Sequence, residues 1–428
     1  MSKKGKDVKK KLNVLDLFCG CGGMTTGLTD AGLNVVAGID IWDKAIESYE
    51  SNHDHLAICE DLKQMTPESF EEQYDISPND IDVIVGGPPC QGFSIAGKRD
   101  KKDPRNSLFM EYCKYLDHFK PKAFIMENVM GILSMKMVNG TKVIDIIVKK
   151  LEKNYNLKIN KLYASDFEVP QNRRRVIIIG IRKDLKIKPP EIKPFLSVED
   201  RKTVGTVLEK RKNIDDKYYL SDKAIAGIKA KKERMLQDGK GFGAQFLKMD
   251  SPSYTIPARY WKDGYDALVK YDDDKIRRLT TLELKRIQTF PDNYILVGNN
   301  KEIIMQIGNA VACRFAYHLG KYIIKCLKDK TVISKKKSKK EKSVSDDECV
   351  KSKKKSESAN SKSEKVRRKD SSNSESSEPT PKKKVISKND ESDSDDVSGT
   401  ESDKKPRRVV KKKNIIQVTK KVVVNKNK

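Results

Sequence analysis

The run Ile81-Asp82-Val83-Ile84-Val85 leads without a break into Gly86-Gly87-Pro88-Pro89-Cys90. A short apolar run rich in β-branched residues fits a buried strand, and glycine with proline ends it abruptly. Comparable runs recur at Leu12–Phe18, Asn34–Ile39, Leu56–Ile58, Ala123–Met126, Leu157–Tyr163 and Val176–Gly180. Helical patterns fall between several of them, at Met24–Ala31, Lys44–Asn52 and about 141–153. Strands alternating with helices predict an α/β fold with a Rossmann-like, doubly wound, mostly parallel sheet. Ligands of such sheets bind at the carboxyl ends of the strands. The residues that end these runs are therefore the first candidates: Asp40, Asp61, Cys90 and Glu127.

Charge narrows the partner. Lysine and arginine outnumber aspartate and glutamate by 88 to 61, a net charge of +27. That excess points to a polyanion, nucleic acid before a membrane surface. No apolar run is long enough to span a bilayer. The basic N-terminus lacks a signal-peptide core, so an intracellular protein is expected. None of the eight cysteines forms a Cys-x-x-Cys pair and there are four histidines, so no metal is expected. His53 and His55 are expected on a solvated helix end. From residue 329 the chain is dominated by Lys, Ser, Asp and Glu, and 329–428 is expected to be a disordered basic tail. Such a tail attracts phosphates without regard to sequence, or serves solubility alone. Pro381–Lys384 and Lys404–Arg408 resemble nuclear-import signals, which would suit a eukaryotic or eukaryotic-virus setting. A β-prone stretch, Ile415–Val424, lies near the end. A monomer is expected.

The first glycine loop, Phe18-Cys19-Gly20-Cys21-Gly22-Gly23, follows the first strand, with Asp40 at the next strand end. It lacks the Gly-x-Gly-x-x-Gly dinucleotide fingerprint and the Lys-Ser/Thr pair of a P-loop. Asp40 suits ribose hydroxyls and Asp61 an adenine amino group. A ligand with ribose and adenine but no phosphate fits, and S-adenosylmethionine is that molecule.

The ordered motifs resemble those of the DNA (cytosine-5) methyltransferases. Asp16–Gly23 is similar to the cofactor loop, Gly87–Ser94 to the nucleophile loop, Glu127-Asn128-Val129 to the carboxyl motif, and Gln171–Arg175 to the Gln-x-Arg-x-Arg motif. Arg278–Thr280, Glu283, Gln288 and Phe290-Pro291, then Gln306–Val311, resemble the last two motifs. The resemblance implies a basic arm at 1–11, a catalytic and cofactor domain at 12–180, a target-recognition domain at 181–276 and a return to the catalytic domain at 277–328. It implies cofactor contacts from Phe18, Gly20, Gly22, Gly23, Asp40, Ile41, Asp61, Leu62, Pro88, Leu108, Asn309 and Val311. Two departures stand out. Ile41 stacks on adenine less well than an aromatic, and Asp40 is shorter than glutamate.

Cytosine C5 is a weak nucleophile until a thiolate adds at C6. Cys90 is the expected nucleophile, with Cys19 and Cys21 as inert buried thiols. Glu127 would donate to N3 as charge builds there. Arg175 would meet O2, Arg173 would hold the nucleophile loop or a phosphate, and Asn128 would orient loop and base. A duplex cytosine must be flipped out to reach these groups. The polar loop 95–107 is expected to close on double-stranded DNA, with Gln91, Ser94, Lys98, Arg99 and Arg105 as contacts. Thr255, Arg259 and Lys262 would read the target, while Tyr254, Tyr260 and Trp261 either stack on bases or fill a small core. An RNA cytosine methyltransferase and a non-enzymatic DNA-packaging protein are the rival readings. The Gly-Phe-Ser that follows Cys90-Gln91 and the intact Cys90, Glu127 and Arg175 speak against them.

Overall fold

A computed structural model describes residues 11–89, 108–136, 140–237, 244–262, 264–271 and 275–341. Cys90, Gln91, Ser94, Lys98, Arg99 and Arg105 lie outside the described residues, as do most of the N-terminal arm and the tail beyond 341. Strands β1 (Asn13–Leu17), β2 (Asn34–Asp40), β3 (Leu56–Cys59), β4 (Val83–Gly86), β5 (Ala123–Val129), β6 (Tyr155–Tyr163) and β7 (Arg174–Arg182) form one seven-stranded sheet in the order β3-β2-β1-β4-β5-β7-β6. β1 through β5 pair in parallel, whereas β7 runs antiparallel to both β5 and β6. The mostly parallel α/β sheet is as the sequence predicts.

The unbroken apolar runs reflect burial on both faces. Leu15, Leu17, Ile84, Phe124, Met126 and Ile178 point into one core, against helices α3 (Pro67–Tyr74), α4 (Leu108–Phe119) and α5 (Val143–Leu151). Val14, Val83, Val85, Ile125, Ile177 and Ile179 point into the other, against α1 (Gly23–Ala31) and α9 (Cys313–Glu341). The alternation follows the two-residue repeat of a pleated strand. α2 (Asp43–Glu50) packs Ile46 and Tyr49 beside Cys19.

Several features depart from the sequence reading. α3 and α4 are additional helices; Thr66 caps α3 by accepting from Ser69 N, and Pro67 opens its first turn. β5 runs on through Glu127 to Val129, so Glu127 lies within a strand rather than at its end. α9 continues to Glu341, past the expected boundary at 328. The described residues of the recognition region hold the α-helix α6 (Asp222–Gln237), several short 3-10 turns, and a hairpin of β8 (Leu268–Lys270) with β9 (Ile276–Arg278). Its buried Val204, Ile256, Tyr260 and Val269 share a core with Leu279, Ile287 and Ile307 of the return segment, which includes α7 (Thr281–Ile287) and α8 (Asn300–Asn309). Among the described residues no helix is long and apolar enough to cross a membrane.

Gly180 on β7 faces Phe124, whose ring lies 2.0 Å from where a Cβ would stand. The strand pair closes only because that side chain is missing. Gly180→Ala is expected to cost about 1–3 kcal/mol through overpacking, read as a lower urea midpoint with an unchanged slope.

Candidate active site

The glycine loop turns on left-handed residues: Phe18 has φ 60°, Gly20 φ 54° and Gly22 φ 92°. Phe18 therefore carries backbone strain that the surrounding contacts must hold. Gly20 N donates to Asp40 Oδ2 at 2.8 Å, and Trp42 N donates to Asp40 Oδ1 at 2.9 Å. Asp40 thus ties the end of β2 to the loop. Burial raises its pKa, while these N–H donors pull the other way. The three glycines differ in role. A side chain at Gly20 would meet nothing within 4 Å, whereas one at Gly22 would strike His53 and Tyr294, and one at Gly23 the Val311 carbonyl. Only Gly20 opens a cradle; Gly22 and Gly23 serve protein packing on their Cα faces. Val311 and Ala310 against Gly23 bring the last motif onto the first loop, with Asn309 exposed beside them.

Ile41, 66% exposed, stands just past β2. Asp61 accepts from Lys63 N at 3.0 Å, with Leu62 buried next to it, and Leu108 is buried at the start of α4. Burial pushes the Cys21 thiol up to about 12 and raises that of Cys19 as well, so both stay neutral. His53 and His55 do not sit on a solvated helix end. They stack on each other, with ring centroids 5.3 Å apart, and His53 lies 4.7 Å from the Tyr49 ring. Among the described residues no group of His, Cys, Asp and Glu could hold a metal ion.

In the neighbouring ladder of β5 and β7, Arg175 Nε lies 2.6 Å from Glu127 Oε1, and the two side chains are 11% and 12% exposed. The register explains the pair. Val129 stands opposite Arg175 and Glu127 opposite Ile177, so Glu127 and Arg175 share a face as diagonal neighbours. A Cβ on Gly87 would come within 3.1 Å of Glu127 Oε2, so β4 delivers its glycine directly beside the carboxylate. Asn128 is buried and donates through Nδ2 to the Pro88 carbonyl at 3.0 Å. It holds the loop that leads to Cys90.

Arg173 does something other than expected. It is buried, donating to the Ile256 carbonyl at 3.2 Å and the Gly308 carbonyl at 2.9 Å. Burial and the neighbouring Arg175 charge lower its pKa. It clamps backbone from the recognition region to backbone from α8. Gln171 does the same work, accepting from Ile256 N at 3.0 Å and donating to Gln288 Oε1 at 3.1 Å. Gln288 in turn donates to the Ile307 and Ala310 carbonyls. Arg174, between the two, stacks over Tyr163 at 5.0 Å.

The expected target readers are partly engaged within the protein. Thr255 Oγ1 donates to the Asn172 carbonyl at 3.0 Å, and Arg259 pairs with Asp266 at 2.7 Å. Lys262 is exposed. Tyr260 is core, donating to the Ala267 carbonyl and accepting from Leu279 N, both at 2.8 Å. Tyr254 is exposed, and Lys301 lies 4.7 Å over the Trp261 ring. The sequence reading did not single out a groove of about 1360 Å³ in this region, lined by Arg211, Lys212, Lys229, Lys270 and Lys275, by Asp216 and Asp222, and by apolar Ile228 and Phe246. Its cations come from four separate segments, so no single run in the sequence marks it.

A family model described as C-5 cytosine-specific DNA methylase matches residues 12–325. The chain is 35% identical over 322 residues to Type II methyltransferase M.SsoII of Shigella sonnei, covering 74% of this chain and 81% of that one. It is 42% identical over 187 residues to Type II methyltransferase M.DdeI of Desulfomicrobium norvegicum, covering 43% of this chain and 44% of that enzyme, less than half of its length. Among solved structures it resembles the Entamoeba histolytica methyltransferase EhMeth, with a TM-score of 0.58, 20% identity, and 74% and 99% of the two chains covered. The S. pombe Dnmt2 methyltransferase gives a TM-score of 0.56 at 23% identity, over 73% and 98%. At these identities the two structures establish the fold.

Arg173→Met would fill much of the same volume but orphan two buried carbonyls. A loss of about 2–6 kcal/mol is expected, at roughly 1–3 kcal/mol for each unsatisfied group. Urea unfolding reads the loss, and limited proteolysis should show earlier cleavage near residues 254–262.

Proposed function

The chain belongs to the C-5 cytosine-specific DNA methylase family and is thus a DNA cytosine-5-methyltransferase; on that premise we propose that it methylates C5 of cytosine in duplex DNA by covalent thiolate addition to C6 of a flipped base. The observation that carries this mechanism is the Glu127–Arg175 pair, set beside Gly87 on the strand that leads to Cys90. Cytosine N3 and O2 are adjacent on one ring edge. A carboxyl and a guanidinium held side by side match that edge.

The residues at the first loop fit S-adenosylmethionine. Gly20 leaves open space, Asp40 ends β2, Asp61 follows β3, and exposed Ile41 offers an apolar face to adenine. Gly22, Gly23, Phe18, Leu62, Pro88, Leu108, Asn309 and Val311 complete the proposed binding set. When bound, the cofactor supplies an electrophilic methyl group on a cationic sulfur. The Cys90 thiolate adds to C6, and the electrons displaced from the C5–C6 bond collect at N3 and O2. Glu127 in its acid form donates a proton to N3 while Arg175 stabilises O2. C5 then carries the electron pair that bonds the methyl group. As that bond forms, N3 returns its proton to Glu127; water held near Asn128 or Pro89 then removes the C5 proton, and the returning electrons re-form the C5–C6 double bond and expel the thiolate. Arg173 is a scaffold residue in this reading, one bond network away from the base.

Duplex DNA is the proposed substrate. Lys98, Arg99, Arg105 and the groove cations from Arg211 to Lys275 would neutralise phosphates, with Gln91, Ser94, Thr255, Arg259 and Lys262 nearer the target. The basic tail adds attraction that is independent of sequence.

Duplex DNA carrying 5-fluorocytosine at the target, incubated with S-adenosylmethionine, should yield a denaturation-resistant protein–DNA adduct. Cys90→Ala should form none while keeping cofactor affinity. An adduct with that variant, or normal turnover by it, would sink the covalent route. Glu127→Gln should lower the transfer rate by about 10²–10⁴-fold. Removing 342–428 should leave transfer intact but flatten the dependence of DNA affinity on salt.

A further inference from the structure

Behind the glycine loop lies a second polar array that the proposed chemistry does not use. Asp16, at the end of β1, is fully buried and accepts from Thr25 Oγ1 at 2.6 Å. Thr25 Oγ1 lies 3.0 Å from Tyr49 Oη, which lies 2.7 Å from His55 Nε2. Thr25 and Tyr49 are also buried, whereas His55 is partly exposed. A hydroxyl has one proton to give. Since Thr25 gives its proton to Asp16, Tyr49 must donate to Thr25, and His55 Nε2–H must donate to Tyr49. That is the arrangement with Asp16 ionised, every donor pointing toward the carboxylate; with Asp16 protonated the chain runs the other way, Asp16 donating to Thr25, Thr25 to Tyr49 and Tyr49 to His55 Nε2, while His55 carries its proton on Nδ1.

The sheet is built around this chain. A Cβ on Gly38 of β2 would fall 2.4 Å from the Tyr49 ring, so that glycine admits the ring and lets its hydroxyl reach Thr25. His53 closes the other side, with Nε2 3.1 Å from Tyr294 Oη. The ionisable groups facing Asp16 are Asp40, Cys19, Tyr49 and Tyr112. Burial keeps Cys19, Tyr49 and Tyr112 neutral, which leaves Asp40, itself shifted upward by burial, as the neighbouring carboxyl. At the far end His55 faces Asp54 and His53, and burial holds both histidines near a pKa of about 4, neutral at pH 7.

Resting on the reading of this loop as the S-adenosylmethionine site, we propose that Tyr49 and His55 are positioning residues that act through Thr25 on Asp16, and that binding the cationic cofactor expels a proton from Asp16 along this chain. The transfer balances. The Asp16 proton passes to Thr25, the Thr25 proton to Tyr49, the Tyr49 proton to His55 Nε2, and His55 Nδ1–H gives a proton to water. Afterwards each donor has reversed direction and one proton has reached solvent. Burial, with Asp40 adding to it, raises the Asp16 pKa to about 7, so near neutral pH the carboxyl still carries a proton to lose. A cation beside it favours the ionised form.

Calorimetric titration of S-adenosylmethionine into the full chain tests this, between pH 6 and pH 8.5, in buffers of different ionisation enthalpy. The heats should reveal proton release. Affinity should strengthen by up to about tenfold per pH unit below pH 7 and level off above it. Tyr49→Phe keeps the ring on Gly38 but removes the relay hydroxyl; the levelling point should move to higher pH, with affinity at pH 8.5 nearly unchanged. His55→Gln, which retains a donor, should lie closer to the parent than His55→Ala. Heats that do not depend on buffer, or a Tyr49→Phe affinity lowered equally at every pH, overturn the proposal. Absence of cofactor binding at any pH overturns the cofactor reading instead.

Discussion

The arrangement depends on one buried polar junction. Gln288 sits where Gln171, the Ile307 carbonyl and the Ala310 carbonyl converge, and Arg173 adds the carbonyls of Ile256 and Gly308. Four segments far apart in sequence meet at two amides and a guanidinium. None of these groups has water to fall back on, so each missing bond carries its full desolvation cost. Apolar packing alone would let the recognition region slide against the sheet. Directional bonds to backbone fix its position, and through it the place where a target base would enter.

A second junction fixes the cofactor side. Gln306 accepts from Ser48 Oγ at 2.6 Å and donates to the Val297 carbonyl at 2.8 Å, tying α8 to α2. Tyr294 donates to the Cys21 carbonyl within the glycine loop. The return segment thus braces the first loop from behind, Tyr294 at Cys21 and Val311 at Gly23.

Much of this was legible in the sequence. The two-sided burial of β4 and β7 shows as apolar runs, and the end of β2 falls on Asp40, whereas Glu127, expected at a strand end, lies inside β5. The Glu127–Arg175 pair was legible only as two separate motifs; its geometry comes from strand register, which no local pattern encodes. The role of Arg173 was misread because an arginine beside two others looks like a phosphate patch, and only tertiary burial distinguishes them. That Gly22 and Gly23 also make room for His53, Tyr294 and the Val311 carbonyl is not legible, because glycine marks close approach without saying what approaches. The histidines were misread for a like reason: an exposed helix end and a ring stack beneath a loop have the same composition. The chain His55–Tyr49–Thr25–Asp16 joins three elements, so its spacing in sequence carries no sign of it.

The antiparallel turn of β7 has a consequence for how such a chain can vary. Glu127 and Arg175 are set against each other by the ladder between β5 and β7, not by the polypeptide that joins them. The connection from β5 to β6, residues 130–154, can gain or lose residues while the two side chains keep their spacing. One inserted residue inside either strand would flip the faces and part them. Variation in length is therefore cheap in the connection and forbidden in the ladder, and a lineage of these chains should record that contrast as gaps clustered outside the strands.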